Sequence, residues 1–252
     1  MIERFDQGEF MIDQAGVDRW LADFVKRLCR SFGERLIFIG HQGSWARGEP
    51  RHGSDIDVAV IIDHIDSQDL TAFRNMVGEM PNAKPLASGV FLSISELKAS
   101  RRSELVQFFY GCKILYGTLN GIIGMPESAD LREHIQVTAS ASLFHARHYI
   151  LYPHDWGKVV HKLYYPFKEC FYALQSWILL REGKFIPTKD ELFEQLSEAD
   201  DKEVIRIAKN WQELEQDREK QPLYYIELLE RWSRNMLSRL QNCESNGERK
   251  TR

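Results

Sequence analysis

The sequence predicts an N-terminal α/β domain over residues 1–120 and an all-α helical bundle over residues 121–252. Three observations lead there. Short β-branched runs occur only in the first half. Apolar residues in the second half recur at helical spacing. Between the halves, Gly117–Pro126 places three glycines and a proline in one short stretch, a strong interruption.

Each element follows from a local pattern. Val17, Trp20, Leu21, Phe24, Val25 and Leu28 fall on one face of a helix over 16–31, which Gly33 ends. Leu36–Gly40 is an apolar run with strand character, and Ile56–Ile62 is a second, richer in β-branched residues. A helix is expected over 67–80 and a third strand over Gly89–Ile94. A further helix is expected over 95–112, running into Ile114–Tyr116. Helical patterns then cover 128–152, 156–182, 189–196, 199–217 and 222–241. Pro166 lies inside the second of these and should kink it. The polar tail from Glu244 is expected to fray.

Composition narrows the function. Hydrophobic residues are 43 % and charged residues 28 %, enough for a packed core without staples. Lys+Arg is 33 against Asp+Glu 37, a net charge of -4. That balance carries no strong nucleic-acid signal, since displacing counterions from a duplex takes many clustered cations. No run approaches the roughly 18 apolar residues of a membrane span. The opening MIERFDQGEFMID lacks the basic flank and apolar run of a secretory signal. Cys29, Cys112, Cys170 and Cys243 lie far apart with no zinc spacing. A reduced, cytoplasmic protein is expected.

The chemistry concentrates in residues 37–60. A strand ends in a turn containing Gly43 and Ser44, followed by Ala46, Arg47 and Gly48. Such a turn presents backbone N–H groups and a hydroxyl with little hindrance, which suits a phosphate. Arg47 and Arg51 stand close enough in sequence to add charge-assisted bonds. Asp55 and Asp57 then bracket Ile56 at the start of the next strand. Residues i and i+2 share a strand face with Cα atoms roughly 6.6 Å apart. Two carboxylates at that distance repel by roughly 3 kcal/mol at an effective dielectric near 20. A divalent cation between them turns repulsion into binding, and hard oxygen ligands suit Mg²⁺. Alternating acids on a surface strand are common by themselves; the combination with the Gly-Ser turn is far more specific.

Gly43-Ser44-Trp-Ala-Arg-Gly48 followed by Ser54-Asp-Ile-Asp-Val58 resembles the signature of the DNA polymerase β-like nucleotidyltransferase superfamily, its antibiotic and minimal members in particular. The resemblance covers residues 16 to about 117. It implies a mixed sheet with flanking helices, and an NTP, ATP in the first instance, held through Mg²⁺ by Asp55 and Asp57 as catalytic and metal residues. Gly43 and Ser44 would contact the β and γ phosphates, and Arg47 and Ser54 complete the nucleotide-binding candidates. Members of that superfamily usually carry a third carboxylate on a later strand. Here Gly89–Ile94 holds no acid; the remaining acids to consider are Glu96, Glu104, Asp130 and Glu133.

The second half is similar, diffusely, to helical domains of the HEPN and kanamycin-nucleotidyltransferase type, mainly over Phe167–Gly183 and Pro187–Leu192. Some HEPN proteins are ribonucleases, and Arg147 and His154 fit the spacing such enzymes use; this is the weakest reading. Tyr164, Tyr165 and Trp156 are candidates for an acceptor groove.

The function expected is Mg²⁺-dependent transfer of a nucleoside monophosphate from an NTP to a hydroxyl of a small molecule or protein, releasing pyrophosphate. The alternative is a catalytically impaired nucleotide-binding or antitoxin-like regulatory protein. The expected partners are the nucleotide and an unknown acceptor, without a membrane, and a homodimer is left open.

Overall fold

The computed structural model describes residues 12–152 and 154–248. The opening MIERFDQGEFMID lies outside them except for its last two residues, as does the end of the tail. Contacts divide the chain into two compact units. One holds the residues up to Arg101 together with Gly111–Met125; the other holds Arg102–Tyr110 and the chain from Pro126 on. The expected cut after residue 120 falls within the last stretch of the first unit.

In the first unit, helix α1 (Gln14–Phe32) starts where the Asp13 carboxylate accepts a hydrogen bond from the Gly16 N–H. Strand β1 (Leu36–Gln42), helix α2 (Gly43–Arg47), strand β2 (Ile56–Ile62) and helix α3 (Ser67–Gly78) follow. Then come α4 (Ala83–Leu86), strand β3 (Ala87–Ser93) and α5 (Ile94–Ala99). The chain then enters the second unit through a 3₁₀ turn and α6 (Val106–Tyr110), and returns as strand β4 (Lys113–Gly117). The sheet order is β3-β2-β1-β4. β1 pairs antiparallel with β2 and β4, while β2 and β3 run parallel, so the sheet is mixed.

One sheet face carries the core. Ile39, Val58, Val60 and Ile62 bury against Trp20, Phe24 and Leu28 of α1 and Met76 of α3. Fully burying each such side chain contributes about 1.5–3 kcal/mol. A polar clamp joins the start of β1 to α3. The Arg35 guanidinium donates to both oxygens of Asp69, each at 2.8 Å, and to Asp63 at 3.0 Å. That hydrogen-bonded guanidinium pulls the Asp69 carboxyl from 3.8 to about 2. A depressed carboxyl stabilises the fold above its unfolded pKa and loses that contribution as pH falls through its folded one. Asp69→Asn is therefore expected to lower stability at pH 7 and to flatten the acid unfolding limb between about pH 4 and 2, as read by urea denaturation at each pH.

The second unit contains α7 (Ser128–Leu151), α8 (Trp156–Lys162), α9 (Tyr164–Glu182), α10 (Lys189–Gln195), α11 (Ala199–Lys209), α12 (Glu215–Lys220) and α13 (Pro222–Glu248). α9 is buried on nearly every face from Ala173 to Leu179, which makes it the central helix. Its buried Gln175 is satisfied: the amide donates to the Ile186 carbonyl at 2.6 Å and accepts from Gln107 at 3.0 Å. His134 of α7 meets the Ser176 hydroxyl through Nδ1 at 2.8 Å. Burial pushes the His134 pKa down from 6.5 to about 4. The unfolded chain thus binds this proton first, and stability present above pH 6.5 is lost as pH falls toward 4. The loss amounts to about 3 kcal/mol at the acid end. His134→Gln is expected to remove that part of the pH dependence in circular-dichroism denaturation curves.

Four features differ from expectation. The helix expected over 95–112 stops at Ala99, because Ser100 turns extended with ψ 145. Ile114–Tyr116, expected at that helix's end, lies in β4 and completes the sheet. Pro166 does not kink a helix; it sits in the first turn of α9, where its missing N–H costs nothing, and the break falls at Leu163. The helix expected over 199–217 breaks after Lys209 into α11 and α12. Among the described residues no helix is long and apolar enough to cross a membrane.

Candidate active site

β1 delivers its last residue, Gln42, opposite Asp57 on β2. The chain turns at once through Gly43, with φ +76, into α2. A Cβ at Gly43 would lie 1.9 Å from Oδ2 of Asp57 and 2.7 Å from its Cγ. The backbone of the turn and the carboxylate are therefore in direct contact, and only glycine fits there. The N-cap Gln42 gives α2 no side-chain cap. The first N–H groups of a helix have no intrahelical acceptor. At Gly43 the start of the helix stands beside a carboxylate, an arrangement that suits a cation-bound phosphate.

Trp45, buried, donates its indole N–H to the Ser54 carbonyl at 3.1 Å, fastening α2 to the loop ahead of β2. The Ser54 hydroxyl accepts from the Arg51 N–H at 2.8 Å, and the Ser54 N–H donates to the Arg51 carbonyl at 3.0 Å. Ser54 thus shapes the loop that carries Asp55. Arg47 pairs with Glu49 at 3.5 Å and is largely buried. Asp55 lies one residue ahead of β2 rather than on it, and both aspartates are half-buried. Trp45, Pro50, Arg51, His52, Ser54 and Leu86 are among the walls of an adjoining pocket of about 400 Å³. A larger pocket of about 600 Å³ lies beside Asp13, Arg19 and Trp20, and neither pocket is lined by Asp55 or Asp57.

The parallel pairing of β2 and β3 sets Ser88 beside Asp57. Gln42, Asp57 and Ser88 form one row across three strands and share a sheet face. Of the acids that the sequence left open, Glu96 stands at the other end of these strands. The register runs from Asp57 with Ser88 to Ile62 with Ser93, roughly 16 Å along the strands. Glu96 lies beyond that far end, where it accepts from the Ser93 N–H at 2.7 Å and its hydroxyl at 2.8 Å. Those bonds hold its carboxyl below the usual range. Glu104, Asp130 and Glu133 belong to the second unit. There Asp130 accepts from the Glu127 N–H at 2.7 Å and pairs with Arg102 at 3.3 Å.

Two titratable groups beside the site escaped the sequence reading. His41 is buried, and its Nε2 finds no hydrogen-bond partner among the described residues. Burial, and then Lys113, push its pKa down to about 4, so it is neutral at pH 7. It points to the sheet face opposite Asp57. Cys112 covers the other face: a Cβ at Gly40 would lie 2.1 Å from its Sγ. Burial pushes the thiol up to about 12, against a hydrogen bond from Gln42, so it stays protonated and is no nucleophile. Strand alternation alone would have placed both side chains, had the register been known.

In the second unit, Arg147 is engaged by Glu230 at 2.9 Å. His154 packs its ring against His148 and Tyr149, with centroids 4.8 and 5.0 Å apart. Tyr164 rests on Trp211, centroids 5.6 Å apart, while Tyr165 is exposed.

The fit of Mg²⁺ follows from the donor set. Among the described residues no three His, Cys, Asp or Glu side chains converge as a metal site. Among the described residues of the first unit, the candidate ligands are the carboxylates of Asp55 and Asp57. Mg²⁺ characteristically takes one or two carboxylates and completes its shell with phosphate oxygens and water. Asp55 and Asp57 fit an ion that arrives with a nucleotide.

No family model and no curated protein sequence matches the chain. Among solved structures it is similar to the spectinomycin adenyltransferase AAD(9) from Enterococcus faecialis, crystallised with ATP and spectinomycin. The TM-score is 0.54 at 14 % identity, over 86 % of this chain and 99 % of that one. The chain has the nucleotidyltransferase fold: a mixed four-stranded sheet with flanking helices, followed by a helical region.

Proposed function

We propose that this protein transfers a nucleoside monophosphate from an NTP, with ATP the first to test, to a hydroxyl of a small molecule, releasing pyrophosphate. The observation that carries the reading is the contact between the Gly43 turn and the Asp57 carboxylate. It brings phosphate-binding amides and a cation-binding oxygen to one point. The fold shared with an enzyme crystallised with ATP and a small-molecule acceptor supports the same chemistry.

The residues divide the work by position. Asp57, with Asp55 from the adjoining loop, would hold Mg²⁺; bound with the triphosphate, that ion supplies neutralisation of its charge. The Gly43 and Ser44 amides and the Ser44 hydroxyl would hold the β and γ phosphates, the group that departs. Trp45 and Ser54 keep α2 and the loop of Asp55 in one arrangement. Arg47 supports that loop through Glu49. The catalysis is mostly positioning and preorganised charge. The helical second unit is read as a partner domain of the kanamycin-nucleotidyltransferase type, and the division into domains near residue 120 belongs to the same proposal.

A second reading has its own observation. No carboxylate flanks Asp57 on β3, where Ser88 stands, and Glu96 is at the far end of the sheet. A protein that binds Mg²⁺–NTP and turns it over feebly would look the same. The test is transfer of α-phosphate label from ATP to a panel of hydroxyl acceptors, with pyrophosphate measured in parallel. Labelled acceptor and equimolar pyrophosphate are expected. Tight nucleotide binding with neither product would favour the second reading, and no nucleotide binding would remove both.

A further inference from the structure

We infer that the site binds a single divalent cation with its nucleotide, and that Ser88 is the residue that limits it to one. This rests on the proposed nucleotidyl transfer and concerns what surrounds Asp57. Across the sheet Asp57 has two neighbours, Gln42 on β1 and Ser88 on β3. Both are neutral. On the β1 side, the Gly43 backbone lies against Oδ2 and leaves no space for another ligand. A second cation bridged by Asp57 would have to sit on the β3 side.

Distances make residue 88 decisive. Paired cations in phosphoryl-transfer sites lie about 3.5–4 Å apart, and neighbouring strands are about 4.8 Å apart. A carboxylate at position 88 would therefore reach a second ion. A serine hydroxyl carries no charge and so offsets none of the repulsion between two dications held that close. No slide of β3 brings another acid there. Immediately after Ser88, Gly89 has φ +133, and a Cβ on it would lie 1.8 Å from the Val58 carbonyl oxygen. β3 is pressed onto β2 at that point and admits only glycine, which locks the register. Within the first unit, Asp55 and Asp57 then supply two negative charges, which match one dication.

The experiment counts Mn²⁺ bound to the full chain by electron paramagnetic resonance, in the presence of saturating non-hydrolysable ATP analogue. Wild type and Ser88→Ala are expected to bind one Mn²⁺ per chain and Ser88→Asp two. The second ion in Ser88→Asp should bind at least tenfold more tightly than in wild type. Two ions in wild type, or one in a folded Ser88→Asp with an unchanged melting curve, would overturn the inference and leave the transfer reading standing. Asp57→Asn separates the two claims. If it binds nucleotide and Mn²⁺ as wild type does, the transfer reading fails, and this inference with it.

Discussion

Replacing Gly43 by alanine is expected to displace the Asp57 carboxylate and to lower nucleotide affinity and turnover by about 10²-fold or more. Two effects add. The residue has φ +76, and an L-residue held in the left-handed region costs roughly 1–2 kcal/mol. The new Cβ would also fall 1.9 Å from Oδ2 of Asp57, so either the turn or the carboxylate must move. Gly48→Ala is the control. Gly48 has nearly the same φ, +75, but nothing within 4 Å of its Cβ position. It should lose stability by a similar backbone cost and keep nucleotide binding. Asp57→Asn is the complement: it preserves shape and removes charge, so it should keep the melting temperature and lose Mg²⁺-dependent nucleotide binding. Denaturation curves and titration with a fluorescent ATP analogue read both quantities on all three variants. Equal loss of binding in Gly43→Ala and Gly48→Ala would mean that the contact with Asp57 is not what matters.

In the helical unit, Asp201→Ala is expected to cost about 3–5 kcal/mol of stability, the usual effect of breaking a buried ion pair from one side. Asp201 is 2 % exposed. It accepts from both terminal nitrogens of Arg239 at 2.7 Å and from the Trp232 indole at 2.9 Å, tying α11 to α13. Arg239 already has its Nε without a hydrogen-bond partner among the described residues. Removing the carboxylate takes the shared acceptor from both the guanidinium and the buried indole N–H. The neighbouring pair Asp200–Arg231 makes similar bonds at 2.8 Å, but Arg231 is 46 % exposed. Asp200→Ala is therefore expected to cost under about 1 kcal/mol. Asp201→Leu combined with Arg239→Met should recover much of the loss. Urea denaturation followed by tryptophan fluorescence compares them; similar losses for Asp200→Ala and Asp201→Ala would contradict the argument from burial.

Local periodicity made much of the architecture legible. The apolar stripe of α1 and the β-branched run of β2 lie within a few residues of where the sequence puts them. β4 was hidden because Lys113–Gly117 is an exposed edge strand with mixed polarity, and nothing in a window that short separates it from the end of a helix. Pro166 was legible as a breaker, but whether it kinks a helix or begins one depends on where the preceding helix stops. The proposed roles of Gly43, Ser44, Asp55 and Asp57 rest on residue types and spacing. That Ser54 shapes a loop and that Arg47 pairs with Glu49 could not be read that way, because both facts depend on how that loop closes.

The amino-acid sequence by itself determined most of the helices and strands and the short segment proposed as the site, since both depend on near neighbours in the chain. The tertiary structure alone decided what stands beside Asp57: Gly43 in contact on one side, Ser88 on the other, and Glu96 at the opposite end of the sheet. Strand register is settled by pairing between segments distant in sequence, and a shift of one residue would exchange every side chain between the two faces.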